Sequence, residues 1–385
     1  MLEVKLKEIR RQIRRKARAV GRKYRETRVI AKALKSPRHP IVAHIIPTRR
    51  CNLSCAYCSE YDRVSPPVPT AEMLARIDQL AALGTTAITL SGGEPLLHPD
   101  LDLIIRRIRD HGILATLITN GYLLTPSRIE RLNRAGLDYL QISIDNVEPD
   151  EVSKKSLKVL DQKLRSLAEL AEFSVTANSV LGSELERPED ALAVTRRVSE
   201  LGFTGTVGII HDHAGQLRPL GGRHREVYEE ILGARRKALF NFSYYNQFQQ
   251  NLAQGLPNDW HCHAGSRYLY VCEDGLVHYC SQQRGRPGIP LSEYTREHLE
   301  REYRSVKECA PYCTVSCVHQ VAMVDHLRED PRAAIARFFP PREGGGAAPD
   351  LPKSIALLSW LFLPAKPESR RLILRRAALR LLRVK

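Results

Sequence analysis

Cys51, Cys55 and Cys58 stand in RRCNLSCAYC (49–58) with the spacing C-x3-C-x2-C, and the next cysteine is Cys262. Thiolates at short spacing suit zinc or an iron–sulfur cluster. A structural zinc site takes four protein ligands, commonly from paired CxxC arms. No fourth Cys or His lies near this segment to complete one. A four-iron cluster on three thiolates leaves one iron open to a cofactor or substrate, so the missing ligand becomes the feature of interest. An incomplete zinc site is the competing reading. Other polar groups recur along the chain. SGGEP (91–95) offers two glycines and the anion of Glu94, and TNG (119–121) offers Asn120. SID (143–145) puts Ser143 and Asp145 two residues apart, on one face of a strand. Asn178 and the backbone near Ile209 follow.

These groups must be positioned by elements, and the hydropathy pattern supplies them. Between residues 43 and 240, short apolar runs alternate with amphipathic stretches. The runs are AHIIPT (43–48), TAITLSG (86–92), ILATLIT (113–119), DYLQISID (138–145), FSVTAN (173–178) and TVGII (206–210). Gly84, Gly112 and Gly136 fall where helices end, the place for a left-handed residue. β-Branched runs alternating with helices predict βαβ units on a parallel sheet. Six units make an α/β fold, a partial (β/α)6 TIM-like barrel. Cys51, Gly93, Asn120, Asp145 and Asn178 then fall at or just past the C-terminal ends of successive strands, the rim where such barrels build active sites. A zinc module gives no reason for five polar groups on one rim.

C-x3-C-x2-C with Tyr57 before its last cysteine, together with Gly92-Gly93-Glu94 and the strand-end positions, resembles the radical S-adenosylmethionine (radical SAM) enzymes over residues 43–210. The resemblance implies a [4Fe–4S] cluster on Cys51, Cys55 and Cys58 whose open iron chelates S-adenosyl-L-methionine (AdoMet). It implies that the reduced cluster cleaves AdoMet to a 5′-deoxyadenosyl radical that abstracts a substrate hydrogen. It also assigns Tyr57, Gly92, Gly93, Glu94, Asn120, Ser143, Asp145, Asn178 and Ile209 to AdoMet contacts. An electron donor of flavodoxin or ferredoxin type is implied as a partner. Lys154, Lys155, His211, Asp212 and His213 lie near the expected rim, and nothing selects an acid or base among them.

Residues 241–340 read as a small C-terminal cysteine-rich α+β extension. RYLYV and LVHYC around Glu273-Asp274-Gly275 predict a β-hairpin. Cys262, a glycine and Cys280, then Cys309-x3-Cys313-x3-Cys317, are similar to the twitch and SPASM extensions that bind auxiliary clusters. The set departs from the full SPASM pattern, and six cysteines cannot fill two four-ligand clusters. The resemblance thus implies one auxiliary cluster on Cys262 and Cys280 plus two of Cys309, Cys313 and Cys317. Cys272 reads as a small buried residue. A zinc ribbon, or a mixed site using His261, His263 or His278, is the alternative.

The net charge of +16 sits in the tails: residues 1–40 carry fifteen Lys/Arg against three acids, and residues 351–385 nine against one. Residues 1–40 read as a basic amphipathic helix with Val4, Ile9, Ile13 and Val20 near one face. Residues 341–354 read as a linker, and 355–385 as a basic amphipathic tail with Trp360 and Phe362. No apolar run approaches a membrane span and no secretory signal opens the chain. Clustered cysteines without an export signal point to a reducing cytoplasm. The tails suit an anionic membrane surface, giving an expected location at its inner face. Nucleic acid ranks below this, because aromatic residues do not interleave with the charge. The expected substrate is accordingly a membrane-associated lipid or polyprenoid. A peptide-maturing enzyme, a small-molecule dehydrogenase and a non-catalytic iron–sulfur or RNA-binding protein are the alternatives.

Overall fold

The structure, a computed structural model, describes residues 2–58, 60–182, 185–210, 217–235, 244–330, 333–334 and 370–381. The linker at 341–354, Trp360, Phe362, His211, Asp212 and His213 lie outside the described residues.

The six apolar runs become β1 (Val42–Ile45), β2 (Ala87–Leu90), β3 (Leu114–Thr119), β4 (Tyr139–Ser143), β5 (Ser174–Leu181) and β6 (Thr204–Ile209). They lie side by side, parallel, in chain order. Helices α2 (Thr70–Ala82), α3 (Leu101–Asp110), α4 (Pro126–Ala135), α5 (Leu157–Leu170) and α6 (Glu189–Glu200) make the returns. Gly84, Gly112 and Gly136 take positive φ of 88°, 71° and 87° at the ends of α2, α3 and α4, as expected. Strand alternation sorts the two faces. Ala43, Ile45, Ile88, Leu90, Ala115 and Leu117 pack with Ile77, Leu80, Ile104 and Ile108 of the helices in one buried core. Each such leucine or isoleucine side chain contributes about 1.5–3 kcal/mol by leaving water. The other face carries His44, Thr89, Thr116, Gln141, Ser143, Thr176 and Asn178. A polar row on that face is what an active-site lining needs, and it leaves the sheet open and unclosed.

The cysteine-rich extension shares the sheet. β7 (Tyr268–Val271) runs parallel to β1, and β8 (Leu276–His278) and β9 (Pro287–Pro290) follow antiparallel, giving the order β6-β5-β4-β3-β2-β1-β7-β8-β9. The expected hairpin is therefore present, but as the continuation of the barrel sheet. Helices α9 (Arg296–Arg304) and α10 (Ser316–Glu329) complete this half, while α7 (Gly222–Arg235) packs on α6, β5 and β6 at the opposite edge and α8 (Tyr244–Ala253) reaches β6 through Gln249.

Helix α1 (Leu2–Lys35) forms a floor under the N-terminal ends of the strands. Arg15 donates to the carbonyls of Ala168 and Ala171 where α5 ends, Arg18 to that of Asn133 in α4, and Lys32 to that of Gly84 behind α2. Helix C-termini carry orphan carbonyls and partial negative charge, so cations there satisfy both. Arg14 and Arg18 pair with buried Glu172, and Arg25 with buried Asp138. Much of the N-terminal basicity thus serves the fold, in a helix packed against the barrel. At the far end of α1, fully buried Arg267 donates to the carbonyls of Ala33 and His39 and pairs with Asp325 of α10.

Candidate active site

The loop after β1 carries Cys51, Cys55 and Cys58, all free thiols. It is stitched to the neighbouring loop after β2: Gly93 N–H donates to the Thr48 carbonyl (3.1 Å) and Glu94 N–H to that of Arg50 (2.9 Å). A side chain at Gly93 would strike the carbonyl oxygens of Arg49 and Arg50, and one at Gly92 the Ile46 side chain. The two glycines therefore admit the close approach of the cysteine loop. Glu94 is fully buried. Its carboxylate accepts from Thr119 Oγ1 (2.7 Å), Asn120 N–H (2.8 Å) and Leu96 N–H (3.0 Å), tying the ends of β2 and β3. Asn120 Nδ2 reaches Asn52 Oδ1 (2.8 Å) and faces Cys51 Sγ at 3.7 Å. A cavity of about 450 Å³ lined by Arg50, Cys51, Asn52, Arg63 and Leu97 opens beside it.

On the other side, Tyr57 reaches across to the end of β4. Its hydroxyl donates to Asp145 Oδ2 (2.5 Å) and accepts from Lys155. Lys155 pairs with Asp145 Oδ2 at 3.0 Å, and Ser153 Oγ donates to the same oxygen at 2.7 Å. Ser153 Oγ also lies 3.6 Å from Cys55 Sγ. Burial would lower the pKa of the Lys155 ammonium, yet Asp145, Tyr57 and the neighbouring Cys55 together hold it well above its ordinary value. Burial raises the Cys58 thiol, and the Lys155 charge pulls it back. A fixed cation thus stands beside thiols that a cluster needs as thiolates. Asp145 Oδ1 is buried with no hydrogen-bond partner, an acceptor held ready at the strand end. Lys154 is spent elsewhere, its ammonium on the Asp150 carbonyl.

Ser143, Asn178 and Thr206 stand opposite one another in register across β4, β5 and β6. Asn178 lies inside β5, which runs on to Leu181, and not at its end as the sequence suggested. Thr206 Oγ1 donates to Asn178 Oδ1 (2.8 Å). The Ile209 N–H is taken by Gln249 Oε1 of α8 (3.1 Å), so that backbone donor is already spent within the protein. Lys155 as the partner of Tyr57 and Asp145, Ser153 and Gln249 were missed in the sequence as parts of this site. The only signal was the position of Ser153 and Lys155 shortly after the SID strand end.

In the extension, burial pushes the Cys262 and Cys317 thiols up to about 11 and Cys280 up to about 12. Charge on Cys262 and Cys317 would raise Cys280 further, and charge on Cys280, Cys262 and Cys309 would raise Cys313. These thiols lie near enough to feel one another's charge, so they share one region of the extension. Cys272 stands apart, raised by burial and by Glu273, Asp274 and Glu60. It lies with Asp274 and His278 in a metal-sized group. However, His278 Nδ1 accepts from the Gly285 N–H (2.8 Å), so the neutral ring keeps its proton on Nε2 and has no lone pair there for a metal. His261 Nε2 contacts the Tyr303 carbonyl (3.1 Å) and His263 Nδ1 lies 3.1 Å from Asp325, so each ring is oriented by a neighbouring oxygen.

Residues 45–213 match the model of the Radical SAM superfamily. The PqqA peptide cyclase of Gluconobacter oxydans is 40% identical over 117 residues, 30% of this chain and 32% of that protein. The match thus spans about a third of that relative's length. The PqqA peptide cyclase of Methylorubrum populi is 36% identical over 270 residues, 65% of this chain and 68% of that protein. Among solved structures, Streptococcus suis SuiB bound to S-adenosylmethionine superposes with a TM-score of 0.55 at 15% identity, over 76% of this chain and 75% of that one. That likeness shows the shared fold. With the three-cysteine loop seated at the rim of an open parallel sheet, and identity sustained over two thirds of a relative, the chain belongs to the radical SAM superfamily, whose cofactors are a [4Fe–4S] cluster and AdoMet.

Proposed function

We propose that this chain is a radical SAM enzyme that modifies a peptide. The observation that carries the reading is the match to the Methylorubrum populi PqqA peptide cyclase, which covers 65% of this chain, more than the 45–213 stretch of the superfamily. In this reading Cys51, Cys55 and Cys58 hold the cluster. Once bound, cluster and AdoMet supply a 5′-deoxyadenosyl radical for hydrogen abstraction. The protein's own contribution is positional. Gly93 and Glu94 fix the cysteine loop against β2 and β3, and Tyr57 and Lys155 fix it against β4. Asp145 Oδ1 is the free acceptor for a hydroxyl of AdoMet, and the cavity beside Cys51 receives the reacting group. The electron comes from a donor of flavodoxin or ferredoxin type. Four of Cys262, Cys280, Cys309, Cys313 and Cys317 hold one auxiliary cluster.

The lipid-substrate reading rested on the basic tails. Because α1 spends arginines and a lysine on helix ends, at the opposite end of the strands from Cys51, that support is weakened. The test is isotopic. Protein with reconstituted clusters is reduced with dithionite and AdoMet, and deuterated peptide or lipid fractions from the same cells are added separately. Deuterium should enter 5′-deoxyadenosine from the peptide fraction. Label from the lipid fraction alone would sink the peptide reading, and absence of 5′-deoxyadenosine altogether would sink the radical chemistry. An iron count on Cys51→Ala/Cys55→Ala/Cys58→Ala tests the auxiliary cluster: about four irons should remain, and none remaining would overturn that part.

A further inference from the structure

Helix α1 keeps one face that the barrel does not use. Ile9, Ile13 and Val20 are 52%, 61% and 71% exposed. Their separations of four and seven residues align them in one stripe along the helix. A single exposed aliphatic residue is ordinary, but a row of three on one helix marks an interaction surface. Arg10, Lys16 and Lys23 are exposed alongside it, so the stripe is apolar in the middle and cationic at its margins. The cations of the opposite side are engaged with helix ends and buried carboxylates.

Charge decides what covers this face. A second copy of α1 would bring cationic margins together, which is repulsive. Helix α11 (Arg370–Leu381) carries arginines and no acid, and Ile373 and Leu374 on it are 68% and 50% exposed. It repeats the design and does not complement it. Nucleic acid would neutralise the cations but leave the stripe in water. A bilayer interface with anionic headgroups accommodates both at once: the isoleucines enter the acyl boundary while lysine and arginine stems reach back to the phosphates.

We propose that the outward face of α1 binds an anionic lipid surface, with α11 as a second contact of the same kind. Among the described residues no helix is long and apolar enough to cross a membrane, so the contact is peripheral. The floor lies at the N-terminal ends of the strands and the cysteine loop beyond their C-terminal ends. Docking therefore turns the site away from the bilayer, and the lipid acts as an anchor and not as the substrate.

The test is flotation of the full chain, clusters reconstituted, with phosphatidylcholine vesicles lacking or containing phosphatidylglycerol, at low and high salt. The protein should float only with phosphatidylglycerol, and less as salt rises. Ile9→Gln/Ile13→Gln/Val20→Gln should weaken binding at least about tenfold, with circular dichroism and AdoMet cleavage unchanged. The proposal fails if phosphatidylglycerol vesicles do not capture the protein, if phosphatidylcholine alone captures it equally, or if the triple variant floats as the parent does. It fails equally if the stripe substitutions dissolve a dimer, or abolish RNA binding, in protein that ignores vesicles.

Discussion

Gly93 can be no other residue because two backbone carbonyls occupy the space a side chain would need. Those carbonyls belong to Arg49 and Arg50, directly before Cys51, so Gly93→Ala would move the cysteine loop and not a flexible side chain. A displacement of this size in a catalytic loop costs about 10²-fold in rate, and that loss should appear in AdoMet cleavage on reduction. Cleavage at the parental rate would show that the loop yields freely. Lys155 raises a different question, since a buried ammonium is tolerated only with partners. Replacing it by methionine leaves the Asp145 carboxylate buried without its cation, which costs about 3–5 kcal/mol. Chemical denaturation of Lys155→Met should show that loss, and Lys155→Arg should recover a good part of it. The raised pKa keeps this contribution in place at neutral pH, and on the alkaline side it fades only as pH climbs above the ordinary lysine value. If Lys155→Met unfolds like the parent, the cation is not holding the loop.

At the scale of elements, the floor helix shows how a charged sequence is absorbed by a fold. Barrel helices α2, α4 and α5 end on one side of the sheet, and each presents carbonyls there. A basic helix laid across those ends finds acceptors at intervals along its length, as Arg15, Arg18 and Lys32 do. Arg25 adds the buried Asp138, which also faces Arg109 at 3.2 Å and accepts from the Ala115 N–H. Arg25→Met should therefore destabilise the protein by about 1–3 kcal/mol, because a buried acceptor loses a charged donor. Lys23, exposed and paired with Glu26 a turn away, is the control. Lys23→Met should change stability by less than about 0.5 kcal/mol. Equal losses in the two variants would mean that α1 docks by shape alone.

At the scale of the whole molecule, what the sequence revealed and what it hid follow from the range of the interactions. The six barrel strands and the glycines closing α2, α3 and α4 were legible because period and capping are local. The rim cysteines were legible because their spacing is itself the chemistry. The pairing of β7 with β1 was not, since nothing near Tyr268 names a parallel partner at Val42. The engagement of Arg15 and Arg18 was hidden for the same reason: a helix-end carbonyl leaves no mark in a sequence. Asn178 was misread as a strand end because its polar side chain interrupts the apolar run, whereas β5 continues through Ser179, Val180 and Leu181. Another long-range joint is the seam where the end of α1, β7 and α10 converge on Arg267, Asp325 and His39. His39 is buried there, and burial with the charges of Arg267 and Lys32 drives it down to about 3, against a smaller upward pull from Asp325. A histidine depressed in the folded state binds its proton only on unfolding. Its contribution is complete above about pH 6.5 and is lost as pH falls toward 3, by about 1.4 kcal/mol per pH unit. Buried Glu60 and Glu94, both raised, run the opposite way, so the effect must be measured by difference. The unfolding free energy of His39→Asn between pH 6.5 and 4.5 should slope less steeply than the parent's by about one proton. Parallel slopes would mean that the seam admits water and that the extension is held to the floor more loosely than its hydrogen bonds suggest.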